Sequence, residues 1–207
     1  MRALSPNSNQ GDKRALRARL LSLLAAPACV LETHCGAGTM TTSYHAAQSW
    51  LGADLDKRHR AAIHADSRQL LRAIDLAAFN FFDIDAYGSP LEWVWLISQR
   101  RKSPAPLALA LTSGAFAGAH RARPTLKDAG FSQQLLKALG NPDPSSLFAG
   151  VWKDEHALLC FRACLRSWFQ NFEIDHLEIS PGYKPNTKND LIAWYVGAIL
   201  RPKAEHG

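Results

Sequence analysis

The stretch from residue 29 to residue 38 has the sequence Cys-Val-Leu-Glu-Thr-His-Cys-Gly-Ala-Gly. Its first three residues are apolar and predict a short buried strand that runs directly into a turn. Gly36 and Gly38 lack a Cβ, so the backbone there can turn sharply and approach a ligand closely. The stretch therefore indicates a strand and a glycine-rich turn of a nucleotide-binding α/β fold, with a helix to follow.

Strands and helices are predicted to alternate on both sides of this stretch. After the strand at 29–31, the sequence predicts strands at 50–54, 61–64, 79–84 and 107–111, and helices at 12–26, 39–50, 69–76, 91–99, 131–139 and 154–169. Two β-rich runs, 172–179 and 191–200, are joined by a segment with prolines and a glycine and predict a closing antiparallel hairpin. Together these elements predict an α/β protein with a mainly parallel seven-stranded sheet, a C-terminal antiparallel hairpin and helices on both faces.

The same pattern predicts the domain organisation and the place of the ligand. We expect a single domain over residues 13–201, with flexible segments at 1–12 and 202–207. In such a sheet the ligand lies beyond the carboxyl ends of the strands.

An acidic residue ahead of the glycines indicates the kind of cofactor. Glu32 lies four residues before Gly36, and position 41, where a dinucleotide fingerprint needs a third glycine, holds Thr41. A carboxylate at this place suits an ammonium group better than a pyrophosphate. An acid, three residues and Gly-x-Gly resembles the first motif of class I S-adenosylmethionine-dependent methyltransferases. That resemblance implies a Rossmann-like fold, methyl transfer and S-adenosylmethionine as the cofactor.

The resemblance extends to the ends of the next strands. Asp54, with Asp56 as the second choice, follows the second strand, where an acid accepts hydrogen bonds from the ribose hydroxyls. Asp66 and Ser67 follow the third strand, where this class contacts the adenine, although a turn or a helix cap explains the pair nearly as well. The residues that the resemblance assigns to the cofactor are Glu32, His34, Gly36, Gly38, Asp54, Asp56, Asp66, Ser67 and Asp83.

Residues 81–90, Phe-Phe-Asp-Ile-Asp-Ala-Tyr-Gly-Ser-Pro, form the most specific segment. They resemble the fourth motif of amino-directed methyltransferases, and in particular the Asp-Ile-Asp-Pro-Phe-Gly-Ser-Pro type of sequence in the tRNA guanine-N2 dimethyltransferases. Ala86 stands here in place of the proline, and Tyr87 in place of the phenylalanine. The resemblance implies that Asp85 and Tyr87 are catalytic: the carboxylate accepts a hydrogen bond from an exocyclic amine, and the ring stacks on the base. The alternative is a structural strand end at which Asp83 or Asp85 caps a helix at Ser89.

The charge distribution favours an anionic partner. Lys and Arg number 24 against 18 Asp and Glu, which gives a formal charge of +6. Basic residues follow the fifth and sixth strands, so they are expected at the ligand end of the sheet, whereas the cluster at 100–102 is predicted to be a solvated turn at the opposite end. The candidate substrate-binding residues are Ser89, Arg121, Arg123, Tyr183 and Lys184.

The remaining features indicate an ordinary globular protein of the cytoplasm. Charged residues interrupt every apolar run, which predicts no membrane span, and the polar start of the chain predicts no signal peptide. The four cysteines form no Cys-x-x-Cys pair, so reduced thiols are expected in place of a metal site.

The leading functional expectation is methyl transfer to a base nitrogen of a nucleic acid, with RNA slightly favoured over DNA. A small-molecule or protein substrate is a second possibility, because no separate nucleic-acid-binding domain is recognisable. A third is a catalytically silent fold that binds a partner, which Ala86 and the unusual Thr33-His34-Cys35 favour.

Overall fold

A computed structural model describes residues 10–59, 61–86, 89–114, 154–183 and 191–204. Within these ranges the helices are α1 (Gln10–Leu23), α2 (Ser67–Ala73), α3 (Leu91–Arg100) and α4 (Asp154–Trp168). The strands are β1 (Cys29–Glu32), β2 (Ser49–Asp54), β3 (Ile63–His64), β4 (Phe81–Ile84), β5 (Leu107–Ser113), β6 (Phe172–Tyr183) and β7 (Leu191–Pro202). The helix predicted at 131–139 lies outside the described residues.

The strands form one seven-stranded sheet in the order β3-β2-β1-β4-β5-β7-β6. The first five strands pair in parallel, whereas β7 runs antiparallel to both β5 and β6. This arrangement confirms the predicted mainly parallel sheet and its C-terminal antiparallel hairpin. The carboxyl ends of β1 to β5 lie at one end of the sheet. We call this end the ligand edge.

Both faces of the sheet are covered, because successive side chains of a strand point to opposite sides. Val30 and Phe81 pack on one face with Leu16 and Leu20 of α1. Leu31 and Phe82 point to the other face, where the buried residues include Leu71 of α2, Val94 of α3 and Phe161 of α4. These strands are therefore apolar on both sides, as parallel strands between two helical layers require.

The prediction of a helix over residues 39–50 is wrong. One short 3-10 helix, Thr41–Tyr44, occupies this connection, and β2 already begins at Ser49. Thr41, Thr42 and Ser43 carry hydroxyls that compete for backbone hydrogen bonds, which disfavours a continuous helix. Pairing with β1 places Ser49 opposite Cys29, so the strand begins one residue before the predicted start.

The prediction of a solvated turn at residues 100–102 is also wrong at its centre. Arg101 is buried, and its guanidinium donates hydrogen bonds to the carbonyl oxygens of Phe79, Ser103 and Ala105 at 3.0, 2.9 and 3.0 Å. Arg101 therefore ties the α3–β5 connection to the start of β4, at the end of the sheet opposite the ligand edge.

Candidate cofactor and catalytic site

The turn after β1 has the conformation that its glycines predict. Gly36 and Gly38 have φ values of 52° and 77°, in the left-handed region that disfavours residues with a Cβ. A Cβ on Gly36 would find no atom within 4 Å, so the turn faces open space there. The turn is held against β2, because the Cys35 amide donates to the Ala53 carbonyl at 3.0 Å.

Asp54 fastens the same turn from the end of β2. Its carboxylate accepts hydrogen bonds from the backbone amides of Gly36 and Asp56, each at 2.8 Å, and lies 3.2 Å from Nδ1 of His59. Burial acts to raise the pKa of Asp54, but these backbone donors and His59 outweigh it and lower the pKa. Asp54 is thus an ionised carboxylate at the ligand edge. Asp56 lies beside it and forms an exposed pair with Arg58.

His34 belongs to a chain of hydrogen bonds that joins the β1 turn to α2 and α3. Its Nδ1 lies 2.8 Å from the Thr33 hydroxyl and its Nε2 lies 3.1 Å from the Ser67 hydroxyl, which also accepts a hydrogen bond from Trp93 Nε1 at 2.7 Å. Burial lowers the pKa of His34. A neutral His34 therefore links the turn to Ser67, and both predicted cofactor residues lie together at the ligand edge.

Asp66 has the capping role that the sequence left open. Its carboxylate accepts hydrogen bonds from the amides of Arg68 and Gln69, at 2.8 and 3.3 Å, and so caps the N-terminus of α2. Because a carboxylate has further lone pairs, a contact from Asp66 to an adenine amine stays a prediction.

Glu32 lies at the end of β1 and is 1% exposed. Trp50 Nε1 donates a hydrogen bond to its Oε2 at 2.9 Å, and Asp83 is its register partner on β4. Burial raises the pKa of Glu32 to about 8, and the negative charge of Asp83 acts in the same direction. Both effects favour the protonated form of Glu32, whereas a cation brought close to it would favour the carboxylate.

Asp83 forms a buried ion pair with the first helix. Arg17 donates to both carboxylate oxygens, from Nε at 2.6 Å and from Nη2 at 2.5 Å, and both side chains are 0% exposed. The Tyr44 hydroxyl donates a further short hydrogen bond to Asp83. Asp83 therefore joins β4 to α1 behind the ligand edge. A direct contact of Asp83 with the cofactor stays a prediction.

Asp85 lies just beyond β4. It contacts α1 one helical turn before Arg17. Its Oδ2 accepts a hydrogen bond from Lys13 Nζ at 2.6 Å, and 26% of its side chain is exposed. Burial acts to raise the pKa of Asp85, but the positive charges of Lys13 and Arg17 outweigh it and lower the pKa. The predicted catalytic acid is therefore an ionised carboxylate that is partly open to solvent.

The helix-capping alternative for these two acids is wrong. Asp83 and Asp85 contact α1, whereas at the start of α3 the amide of Leu91 donates to the Ser89 hydroxyl at 3.3 Å. Ser89 thus has a structural partner next to the site. The other predicted catalytic and substrate residues, Tyr87, Arg121, Arg123, Lys184 and the side chain of Tyr183, lie outside the described residues.

Lys13 and Arg17 are the site residues that the sequence interpretation missed. Neither is among the residues predicted for the site, yet both are buried. The signal was present, since residues 13, 16, 17 and 20 have the spacing of one helix face.

The described ranges contain neither a metal-binding cluster nor a membrane-spanning helix. No group of three or more His, Cys, Asp and Glu side chains in them could hold a metal ion. No helix within the same ranges is long and apolar enough to cross a membrane.

No family model and no curated protein matches the chain, but solved structures do. Trm1 from Pyrococcus horikoshii, solved in complex with S-adenosyl-L-methionine, superposes with a TM-score of 0.60 at 17% identity, over 96% of this chain and 57% of that chain. A protein from Streptococcus thermophilus described as a hemolysin gives 0.53 at 11% identity, over 99% of this chain and 68% of the other. One from Lactococcus lactis with the same description gives 0.52 at 14% identity, over 96% and 90%.

These similarities show the fold. The described sheet, its closing antiparallel hairpin and the likeness to Trm1 define a class I methyltransferase fold. This chain spans 57% of the length of the Trm1 chain, so the likeness concerns that part of Trm1.

Proposed function

We propose that this protein binds S-adenosylmethionine at the ligand edge and transfers its methyl group to an exocyclic amine of a nucleic-acid base, with RNA favoured over DNA. The observation that carries the proposal is the position of Asp85. It is an ionised, partly exposed carboxylate just beyond β4, the strand adjacent to β1 and its glycine turn. The neighbour Trm1, solved with the same cofactor, supports this choice.

The hydrogen-bond acceptors at the ligand edge fit the cofactor. Glu32 offers a carboxyl group to an ammonium group, and Asp54 offers a carboxylate to ribose hydroxyls. The open space at Gly36 lets the backbone approach the ligand. S-adenosylmethionine, when bound, would supply a methyl group on a sulfonium, whose sulfur takes the electron pair of the broken carbon–sulfur bond and leaves as a neutral thioether.

Asp85 performs the remaining task of orienting the acceptor. An amine that donates one hydrogen bond to Asp85 directs its lone pair away from that bond, toward the methyl carbon. When the new bond forms, the nitrogen becomes positive, and Asp85 stabilises that charge and accepts the proton that leaves. The basic residues of the sequence, with its formal charge of +6, suit a phosphate-bearing substrate.

Tritium transfer from labelled cofactor tests this proposal against the alternatives. The wild-type chain is incubated with total RNA, genomic DNA and cell-extract protein from a strain that lacks it. Label in RNA, recovered as a base methylated on its exocyclic amine, is expected. Label found only in protein or in small molecules would show that the substrate is not a nucleic acid. If calorimetry detects no binding of S-adenosylmethionine, a catalytically silent fold is favoured.

Asp85→Ala is the sharpest variant for the reaction itself. We expect it to bind the cofactor with unchanged affinity and to lose about 10²-fold or more in turnover, because the acceptor loses its orienting group. Asp175→Ala is the matched control: this exposed carboxylate pairs with Arg201 at the opposite end of the sheet. Equal turnover in the two variants contradicts the role given to Asp85.

A further inference from the structure

The first helix contributes two cations to the ligand edge, one turn apart. Lys13 contacts Asp85 and Arg17 contacts Asp83, so positions i and i+4 of α1 face positions i and i+2 of the β4 strand and its continuation. The two spacings match, because residues one helical turn apart and alternate residues of a strand are each separated by roughly 5–7 Å. The two ion pairs therefore lie side by side between α1 and the end of β4.

The two ion pairs differ in their surroundings. The Arg17–Asp83 pair is wholly buried, and the Tyr44 hydroxyl also contacts it. In the Lys13–Asp85 pair the lysine side chain is 8% exposed and the carboxylate side chain is 26% exposed. Arg17 thus anchors α1 beneath the surface, and Lys13 brings a positive charge to the carboxylate proposed to meet the substrate.

Lys13 is held from more than one side. Its Nζ lies 2.6 Å from Asp85 Oδ2 and 5.7 Å from the centre of the Tyr195 ring, a separation at which a cation is attracted to the ring face. Lysine is seldom this buried in proteins without a partner. Its head group is therefore confined and able to fix the orientation of the carboxylate that it contacts.

We propose that Lys13 is a positioning residue of this site: its ammonium group holds one oxygen of Asp85 and so fixes the direction in which the carboxylate meets a substrate amine. The inference rests on the proposed function. One oxygen is engaged by Lys13, so a substrate amine is received by the rest of the carboxylate. The same positive charge favours the ionised carboxylate, which is the form that accepts a hydrogen bond.

Several other groups bear on the charge of Asp85. The cation Arg17 and a threonine hydroxyl favour its ionisation, and a second carboxylate shares the charge of Arg17; a carboxyl group and a histidine also lie close enough to interact. These groups come from α1, from β1 and its turn, from β4 and from β5: Arg17, Glu32, His34, Asp83 and Thr112. Lys13 has the largest stabilising effect among them on the ionised carboxylate.

The experiment compares Lys13→Met with Lys13→Arg and with Lys102→Met, an exposed lysine at the opposite end of the sheet. Carbon-detected NMR titration of aspartate carboxyls comes first. We expect Lys13→Met to raise the pKa of Asp85 by about one unit or more, since an opposite charge this close lowers a carboxyl pKa by roughly 1–3 units. Lys13→Arg should restore most of the shift, and Lys102→Met should leave it unchanged. Lys13→Gln replaces the methionine variant if that variant does not fold.

Transfer to RNA gives the second readout. In Lys13→Met we expect a fall in kcat with unchanged KM for S-adenosylmethionine, and an acid limb of the pH profile that moves to higher pH. The limb moves in this direction because the rate requires ionised Asp85. The ionised form is lost as the pH falls through the pKa of Asp85, which is higher in the variant. Lys13→Arg should return the limb toward its wild-type position.

The outcomes separate the two proposals. If the wild-type chain methylates RNA and Lys13→Met keeps both its titration and its pH profile, the positioning role is wrong. A faster Lys13→Met overturns it as well, because Lys13 then blocks the site. If the wild-type chain methylates nothing, the proposed function fails, and the titration still decides whether Lys13 controls Asp85.

Discussion

Arg17→Met tests whether the buried ion pair holds the first helix against the sheet. The change removes the guanidinium that donates to both oxygens of Asp83 but keeps most of the aliphatic volume. Because both side chains are 0% exposed, water does not solvate the carboxylate that remains. Breaking a buried pair from one side costs about 3–5 kcal/mol. We expect the lower end, since the Tyr44 hydroxyl still donates to Asp83.

The measurement is thermal unfolding followed by circular dichroism. In a domain of this size 1 kcal/mol shifts Tm by roughly 2–4 °C, so a loss of about 3 kcal/mol lowers Tm by about 6–12 °C. Arg19→Met is the matched control on the same helix. Arg19 also contacts a carboxylate through two nitrogens, but its side chain is 49% exposed, and surface pairs contribute about 0–1 kcal/mol.

A double-mutant cycle then isolates the pair. Asp83→Asn leaves Arg17 buried without its counter-charge, so the double variant Arg17→Met with Asp83→Asn should be destabilised by less than the sum of the two single changes. Two results would refute the reasoning: a loss in Arg17→Met as small as that in Arg19→Met, or strictly additive losses in the cycle.

Two further predictions concern the β1 turn. Glu32→Gln should stabilise the fold increasingly as the pH rises from about 4.5 toward 8: folded Glu32, with a pKa of about 8, keeps its proton while the unfolded chain releases it, so wild-type stability falls across that window. Melting curves at a series of pH values check this, and a constant difference between the two proteins would contradict it. Gly36→Ala should cost roughly 1–2 kcal/mol in urea unfolding, the penalty of a left-handed conformation for a residue with a Cβ, because a φ of 52° is required and no atom lies within 4 Å to add a clash. A much larger loss would show that the turn lacks the open space described.

Local sequence patterns predicted most of the sheet. Every strand from β1 to β7 lies where an apolar or β-rich run indicated, and the two glycines mark the turn with positive φ. These signals are local, since a side-chain period or a missing Cβ acts within a few residues. The helix expected at 39–50 failed because local propensity competes there with hydroxyl side chains and with strand pairing to β1.

The candidate site was predicted in part, for the same reason. Glu32, Asp54, Asp66 and Asp85 follow successive parallel strands, and the topology brings such positions to one edge. The partners of these acids did not follow from that rule. Trp50 at Glu32 and the backbone donors at Asp54 depend on how the β1 turn folds back on β2.

The sequence by itself determined the order of the strands along the chain, the glycine turn and the row of acids at the strand ends. Only the tertiary structure decided what those acids contact. Arg17 meets Asp83 across 66 residues and Lys13 meets Asp85 across 72, because α1 packs on the face of the sheet beside β4. Ion pairs at such separations depend on the docking of a helix on the sheet, and no local period encodes which acid a cation will face.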